Sequence, residues 1–259
     1  MRIFGLIGYP LPHSFSKKYF TEKFERERLK DIVYQLFEVK DIERGLKYVL
    51  EENPTLCGLN ITIPHKQNII PLLNELDESA KAVGAVNCIR IESRTKNQEP
   101  RTKLIGYNTD VYGFEVSLKK HLKSHHKNAL ILGTGGASKA AEYVLKKNEI
   151  KYQLVSRGLS PTLSKGEGAD LTYKKISKEI LINHTLIINA SPVGMYPNIS
   201  VAPEIPYEYL NKNHLLFDMV YNPEETLFMK KGKQQGATVV NGLEMLHLQA
   251  EKAWEIWNE

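Results

Sequence analysis

The stretch that most constrains the fold is an apolar strand that leads into a glycine loop and then a helix. Residues 128–132 (NALIL) precede the loop GTGGAS at 133–138, and a helical pattern, SKAAEYVLKK, follows. Gly133 would permit a tight turn, and Gly135 would let the backbone approach a phosphate. A helix beginning near Ser138 would direct its amides and positive dipole end at that anion. The sequence therefore predicts a dinucleotide-binding loop, although a glycine pattern alone can also be a simple turn.

The end of the next strand indicates which dinucleotide would bind. A site for NAD needs a carboxylate here to accept a hydrogen bond from the ribose 2′-hydroxyl. Residues 151–160 (KYQLVSRGLS) contain no acidic residue. Arg157 instead offers a planar fork of donors that suits a 2′-phosphate. We therefore predict NADP(H), the alternative being that Arg157 is a solvated residue at the strand end.

Strand and helix patterns alternate along the chain, which predicts largely parallel sheets covered by helices. The patterns RIFGLIG, IVYQLFEV and GLNITI are each followed by a helical pattern, the third beginning at Lys66. Next, DESAKAVGAVNCIRIE predicts a short helix, a glycine stop and a strand that pairs with LIGY as a hairpin. We expect an α/β protein with an N-terminal substrate-binding and catalytic domain at 1–109 and a Rossmann-like NADP-binding domain at 110–243, with a cleft between them. The last helix, 244–259, would pack back on the first domain.

Polar residues follow several predicted strand ends. In LNITIPHK (59–66), the apolar residues Leu59, Ile61 and Ile63 would face the core. Asn60 and Thr62 would face the opposite side, and a proline would end the strand before Lys66. In an open parallel sheet, a ligand crevice lies beyond the carboxyl ends of the strands. The residues placed there are Ser14, Ser16, Thr62, Lys66, Asn87 and Asp110.

Each of these residues also has a structural alternative. Ser16 and Asp110 could cap the helices that follow them. Asn87 could be a turn residue, and Lys66 could be a surface charge.

Composition excludes several other classes of protein. The 259 residues are 42% hydrophobic and 25% charged, without an apolar run long enough to span a membrane or serve as a signal peptide, so we expect a cytoplasmic protein. Cys57 and Cys88 suggest buried thiols, and no metal site is predicted. The basic run at 119–127 (KKHLKSHHK) could bind nucleic acid or a metal. Without interleaved aromatic residues or further ligands, we interpret it as a solvated helix end and linker. We therefore expect neither nucleic acid nor a membrane as a partner.

Eight motifs in one order extend these local interpretations to the whole chain: PHSFS, NITIPHK, GAVN, GYNTD, GTGGAS, NASPVGM, DMVYNP and NGLEMLHLQA. Together they closely resemble the shikimate dehydrogenase family, NADP-dependent enzymes of aromatic amino-acid biosynthesis. The resemblance implies reversible reduction of 3-dehydroshikimate to shikimate with NADP(H), by a monomer or homodimer. Two alternatives remain: a quinate/shikimate dehydrogenase of broader specificity, and a non-catalytic NADP-binding sensor on the same fold.

The resemblance also implies roles for individual residues. Lys66 and Asp110 would form the catalytic acid–base pair. Substrate would be bound by Ser14, Ser16, Thr62, Asn87, Tyr221 and Gln249. The cofactor would be bound by Gly133, Thr134, Gly135, Gly136, Ala137, Ser138, Ser156, Arg157, Met219 and Gly242, with Glu78 also on the cofactor side.

Two of these assignments have a qualification that can be read from the sequence. Ser156 and Gly158 replace the Asn and Thr that usually flank the arginine in this family, so the 2′-phosphate would have fewer partners and NADP would be preferred less strongly. Gln249 lies on the buried face of the last helix by its spacing from Leu246 and Ala253. A buried amide needs partners, so Gln249 would bond either the backbone or the hydroxyls of a ligand.

Overall fold

The computed structural model describes residues 1–11, 14–94, 101–158 and 171–259. These residues form two compact units, Met1–Thr109 together with Ala250–Glu259, and Asp110–Gln249. Each unit contains a six-stranded sheet. The Pro-His pair of the PHSFS motif lies outside the described residues. Within the described ranges, no helix combines the length and apolar character needed to cross a bilayer.

The first unit is a mixed sheet with helices between its strands. In chain order its elements are β1 (Arg2–Gly8), α1 (Phe15–Arg26), β2 (Ile32–Glu38), α2 (Ile42–Glu52), β3 (Leu56–Ile61), β4 (Glu75–Leu76), α3 (Glu78–Val83), β5 (Cys88–Arg94) and β6 (Arg101–Tyr107). The strand order is β2-β1-β3-β5-β6-β4. β1 pairs in parallel with β2 and β3, whereas β5 is antiparallel to β3 and β6. The predicted hairpin is thereby confirmed.

The second unit is a fully parallel sheet among the strands described. Its elements are α4 (Thr109–Lys119), which begins at the last residue of the first unit, then β7 (Asn128–Leu132), α5 (Gly136–Lys147), β8 (Lys151–Ser156), β9 (Leu171–Thr172), α6 (Lys178–Asn183), β10 (Leu186–Asn189), β11 (Leu215–Asp218), α7 (Leu227–Gln234) and β12 (Thr238–Val240). The last helix, α8 (Leu243–Asn258), begins in this unit and ends in the first, which contains its residues from Ala250 onward. The strand order is β12-β11-β10-β7-β8-β9, and every neighbouring pair is parallel. Two sheets of this kind confirm the predicted α/β class.

An aromatic cluster fixes the end of α8 in the first unit. Trp257 is 5% exposed, and its Nε1 donates to the Ile89 carbonyl at 3.0 Å. Its ring packs against Phe4 and Phe20, with centroids 4.9 and 5.2 Å away. A Cβ at Gly58 would lie 2.3 Å from the indole, so only glycine leaves room for this ring.

The segment between β3 and α3 departs from the sequence expectation. Ile63 is 73% exposed, not part of the core, because β3 ends at Ile61 and the chain turns, with the His65 amide donating to the Thr62 carbonyl at 2.9 Å. The helix expected from Lys66 is also wrong. Only a 3₁₀ turn forms, at Ile70–Leu72, and the proline within it lacks the amide that an α-helix would use.

Three helix starts differ from what the sequence allowed or predicted. Ser14, not Ser16, caps α1: it has extended backbone dihedrals, and its Oγ accepts from the Lys17 amide at 3.1 Å. Asp110 lies inside the first turn of α4, which begins at Thr109. Helix α5 begins at Gly136, two residues before the expected Ser138, because Gly135 is its N-cap.

Two composition-based expectations also need correction. Cys88 is buried as expected, but the free thiol of Cys57 belongs to a residue that is only half-buried. The basic run 119–127 is not simply solvated, since His126 within it is 4% exposed.

His126 and His214 are buried, and both ring nitrogens of each residue form hydrogen bonds to the backbone. Nδ1 of His126 accepts from the Lys123 amide at 2.9 Å, and Nδ1 of His214 accepts from the Asn211 amide at 3.1 Å. Because Nδ1 accepts, Nε2 of each ring carries the proton and donates to a backbone carbonyl. Burial lowers the pKa of both imidazoles below the ordinary 6.5.

These histidines predict that acid destabilises the protein. As pH falls below the ordinary histidine pKa, the unfolded chain takes up protons before the folded one, so the free energy of unfolding decreases until the folded pKa is passed. His214→Asn keeps an acceptor near the Asn211 amide and removes one titration. Urea unfolding at roughly pH 7.5 and roughly pH 5.5 should therefore show a smaller loss of stability for this variant than for the native chain. His247→Asn, at an exposed position, should behave like the native chain. Equal losses in all three proteins would contradict the interpretation.

Candidate active site

The glycine loop after β7 presents uncapped backbone amides to open space. Gly133 has φ +120°, a left-handed conformation that other residues rarely adopt. Gly135 caps α5 without any side-chain hydrogen bond. A Cβ added at Gly135 or Gly136 would meet nothing within 4 Å. Ser138 is buried, and its Oγ has no hydrogen-bond partner among the described residues. Backbone donors, a helix N-terminus and room for a close approach together suit an anionic ligand such as a phosphate.

The end of β8 separates the roles of two predicted cofactor residues. Ser156 is 9% exposed, and its Oγ donates to the Gly158 carbonyl at 2.6 Å. The hydroxyl therefore stabilises the local turn after β8. Arg157 is exposed. Burial raises the pKa of the Tyr173 phenol, and the positive charge of Arg157 lowers that pKa in part.

The ends of β10 and β11 bring together further predicted residues. The Met219 amide donates to the Asn189 carbonyl at 3.0 Å, and the Gly242 amide donates to the Val220 carbonyl at 3.1 Å. A Cβ at Gly242 would lie 2.3 Å from the Met219 carbonyl oxygen, so this close approach requires glycine. Tyr221 is 41% exposed beside this segment.

Gln249 is buried in α8. It is 7% exposed, and its Nε2 donates to the Leu246 carbonyl of the same helix at 2.9 Å. The backbone bond expected as one alternative is therefore present.

In the first unit, a chain of buried polar groups joins the regions of two predicted substrate residues. The Tyr34 hydroxyl, beside the Ser16 side chain, donates to Asn60 Oδ1 at 2.7 Å. Asn60 Nδ2 donates to the Asn87 carbonyl at 3.2 Å. Asn87 Oδ1 in turn accepts from the amide of Thr109 at 2.7 Å, and Asn87 Nδ2 donates to the Thr109 hydroxyl at 3.0 Å. Burial raises the pKa of Tyr34 well above its usual value, so the phenol stays protonated and donates.

Backbone hydrogen bonds fix the segments around Thr62 and Lys66. The Thr62 amide donates to the Ile7 carbonyl at 2.9 Å. The Lys66 carbonyl accepts from the Val86 amide at 2.7 Å, which ties the lysine to the segment that carries Asn87. Glu78 is the first residue of α3, directly after its N-cap Asp77.

Comparison with known proteins identifies the family. Residues 6–89 match the family model for the shikimate dehydrogenase substrate binding domain. A shikimate dehydrogenase (NADP(+)) of Methanocaldococcus jannaschii is 37% identical, over 99% of this chain and 91% of that protein. The chain belongs to the shikimate dehydrogenase family.

Solved structures of the family share this fold over more than nine-tenths of their length. Shikimate 5-dehydrogenase of Thermus thermophilus, in complex with NADP(H) and shikimate, superposes with a TM-score of 0.82 at 27% identity, covering 99% of this chain and 93% of that one. Shikimate 5-dehydrogenase of Listeria monocytogenes, in complex with shikimate and NAD, gives 0.84 at 28% identity, covering 100% and 92%. The resemblance inferred from eight sequence motifs is thereby confirmed.

Within this shikimate dehydrogenase fold, the predicted residues fall into two groups. Ser14, Ser16, Thr62, Lys66, Glu78 and Asn87 lie in the first unit; Asp110, Gly133, Thr134, Gly135, Gly136, Ala137, Ser138, Ser156, Arg157, Met219, Tyr221, Gly242 and Gln249 lie in the second. The roles of these residues, and the pairing of Lys66 with Asp110, stay predictions. Among the described residues, no group of three or more His, Cys, Asp or Glu is placed to hold a metal ion.

The sequence marks one member of this network and not the other: Asn60 falls with Thr62 on the polar face of its predicted strand, whereas no sequence signal marks Tyr34. Tyr34 lies in a strand whose other residues are largely apolar, so its pattern predicts a strand and no hydrogen-bonding role. The available signal was an amide on a buried strand, because a buried amide must have hydrogen-bond partners.

We expect Tyr34→Phe to destabilise the protein, because it leaves Asn60 Oδ1 without its donor in a buried site. The free energy of unfolding should fall by about 1–3 kcal/mol. Tyr48→Phe is the matched control, since Tyr48 is 64% exposed, and it should have little effect. Denaturant unfolding measures both variants, and equal stabilities would contradict the importance of the buried network.

Proposed function

We propose that this chain catalyses the NADP-dependent, reversible reduction of 3-dehydroshikimate to shikimate, a step of aromatic amino-acid biosynthesis. The observation that carries the proposal is the full-length similarity, at 37% identity, to a protein named shikimate dehydrogenase (NADP(+)). We further propose that Met1–Thr109 binds the substrate and that Asp110–Gln249 binds NADP(H). The cytoplasmic location and the monomer-or-homodimer state stay predictions.

The second unit offers groups that suit NADP(H). The start of α5 lacks a side-chain cap, and the space beside Gly135 and Gly136 is open, so a pyrophosphate could approach these amides. Arg157 is exposed at the end of β8, where its guanidinium could bind a 2′-phosphate. Because the Ser156 hydroxyl already bonds Gly158, Arg157 would have little help from that residue. Met219 and Gly242 would lie at the nicotinamide end.

The first unit offers hydroxyl and amide donors for the substrate. Ser14 Oγ accepts from the Lys17 amide, so the Ser14 proton can be donated to a carboxylate. Ser16 and Thr62 would add further hydroxyls. Asn87 has its amide oriented by Thr109, which presets it to bond a ring hydroxyl. The family resemblance also gives Tyr221 and Gln249 as substrate-binding residues.

Lys66 and Asp110 would carry out the proton transfer. When bound, NADPH supplies the hydride that the substrate carbonyl carbon receives. The Lys66 ammonium would hydrogen-bond the carbonyl oxygen, stabilise the negative charge that develops there and deliver a proton to it. Asp110 would orient that ammonium. In the direction of shikimate oxidation, Lys66 would receive the proton.

The deciding experiment measures cofactor reduction by the purified protein. Shikimate and quinate are compared as substrates, each with NADP⁺ and with NAD⁺. We expect shikimate with NADP to give the fastest turnover. Comparable turnover of quinate would favour the broader quinate/shikimate dehydrogenase. NADP binding without turnover of either substrate would overturn the proposed reaction and favour the sensor.

We expect Lys66→Ala to lower kcat by about 10²–10⁴-fold, because it removes the proposed proton donor. The Kd for NADP⁺, measured by calorimetry, should stay within about threefold of the native value, since Lys66 lies outside the nucleotide loop. Lys47→Ala, on the exposed face of α2 with 78% of its side chain accessible, is the control. A folded Lys66→Ala protein with near-native kcat would contradict the assignment.

We expect Arg157→Ala to weaken NADP⁺ binding by about 10–100-fold, because charge-assisted hydrogen bonds to the 2′-phosphate are lost. NAD⁺ lacks that phosphate, so its Kd should change little. Lys151→Ala removes an exposed cation at the opposite end of β8 and should leave the binding of both nucleotides unchanged. Equal losses for NADP⁺ and NAD⁺ in Arg157→Ala would exclude the proposed phosphate contact.

A further inference from the structure

Asp218 is a buried carboxylate at the end of β11 that joins three elements of the second unit. It is 0% exposed. Its Oδ1 accepts from the Val220 amide at 3.0 Å and from Asn189 Nδ2, at the end of β10, at 2.9 Å. Its Oδ2 accepts from the hydroxyl of Thr226, the N-cap of α7, at 2.5 Å. One side chain therefore connects the ends of two strands and the start of a helix.

Through Asn189, this connection reaches the glycine loop. Asn189 Oδ1 accepts from the hydroxyl and the amide of Ser191, at 2.6 and 3.2 Å, and Asn189 Nδ2 also donates to the Val193 carbonyl at 3.2 Å. These bonds shape the loop that follows β10. That loop directly backs Gly133, where an added Cβ would lie 3.2 Å from the Ala190 carbonyl oxygen.

The carboxylate also fixes the segment that follows it. The Met219 peptide is held between Asp218, which bonds the next amide, and the Asn189 carbonyl, which accepts the Met219 amide. Gly242 packs against the Met219 carbonyl and bonds Val220. Movement of Asp218 would therefore displace the backbone of both predicted nicotinamide-end residues.

The chemistry of this arrangement points beyond simple scaffolding. The three donors to Asp218 among the described residues are an amide side chain, a hydroxyl and a backbone N–H, all uncharged. Burial raises the pKa of Asp218 to about 6, although these hydrogen bonds lower it in part. A buried ionised group opposes folding unless it is well compensated, so uncharged residues would hold a scaffold at a lower cost in stability.

We propose that Asp218 is a positioning residue of the nucleotide site, which fixes the loops after β7, β10 and β11 in one arrangement at the carboxyl edge of the sheet. Ligands of open parallel sheets bind at this edge. The proposal rests on the proposed function, because it takes NADP(H) as the ligand of this edge.

The first test measures loop order without any nucleotide. Amide hydrogen exchange should increase in Asp218→Ala at 189–193, at 219–221 and at the glycine loop together. Asp218→Asn can still accept from Val220 and Asn189 and can donate to Thr226, so its exchange should stay close to native. Thr226→Val and Thr226→Ser form a second pair, the first removing the hydroxyl and the second keeping it. This pair gives the same comparison if Asp218→Ala does not fold.

The second test measures NADP⁺ affinity and turnover well below the melting temperature of each variant. We expect Asp218→Ala and Thr226→Val to weaken NADP⁺ binding or lower kcat by at least about tenfold, since small misplacements of positioned groups have large effects on rate. The KM for shikimate should stay near native, and Asp218→Asn and Thr226→Ser should restore function to within about threefold.

Two outcomes would overturn the inference: variants that only melt earlier, with native exchange in these loops and native NADP⁺ affinity and kcat, or Asn and Ser variants as impaired as Ala and Val. Failure of the proposed function is distinguishable, because the native protein would then fail to bind NADP⁺ or to oxidise shikimate. Even if the proposed function fails, equal amide exchange in these loops of Asp218→Ala and of the native protein would overturn the positioning role.

Discussion

The parallel hydrogen-bonded ladder of the second unit is the constraint on which the nucleotide side depends. Because β11, β10, β7 and β8 all run in one direction, their carboxyl ends fall on one edge. Segments that are far apart in sequence, the glycine loop, Arg157 and Met219, are brought to that edge by strand pairing alone. All residues of β10 and β11 and most of β7 are buried, so these strands are covered on both faces, whereas β8 is buried only at its carboxyl end.

The first unit depends on a different interaction, a buried polar network within an apolar sheet. Tyr34 donates a hydrogen bond to Asn60, and Asn60 donates one to Asn87. Asn87 accepts one from Thr109, the residue directly before Asp110. Such networks are strong where every member has a partner, because the low local dielectric strengthens each bond and penalises any unpaired group. The proposed substrate-side residues are thus attached to a rigid framework, not to independent loops.

Much of the fold was predictable from local pattern, and the failures have identifiable causes. The glycine loop, the helix after it and the short α3 with its glycine stop were predicted because each has a chemical signature within a few residues. The core position expected for Ile63 and the helix expected from Lys66 were wrong. Apolar periodicity does not show at which residue a strand ends and a turn begins. Ser16 as a helix cap was one of two open alternatives, and the structure excludes it because Ser14, two residues earlier, is the N-cap of α1.

By itself, the sequence determined the α/β class, the strand–loop–helix context of the glycines, the basic residue at the end of β8 and the family, because these depend on residue types over short spans or on motif order. Only the tertiary structure decided which polar groups bond to one another. Asp218 appeared in the sequence as part of a motif, and its hydrogen bonds to Asn189 and Thr226 arise from strand order and helix placement. Such partners are set by long-range packing, which local sequence does not encode.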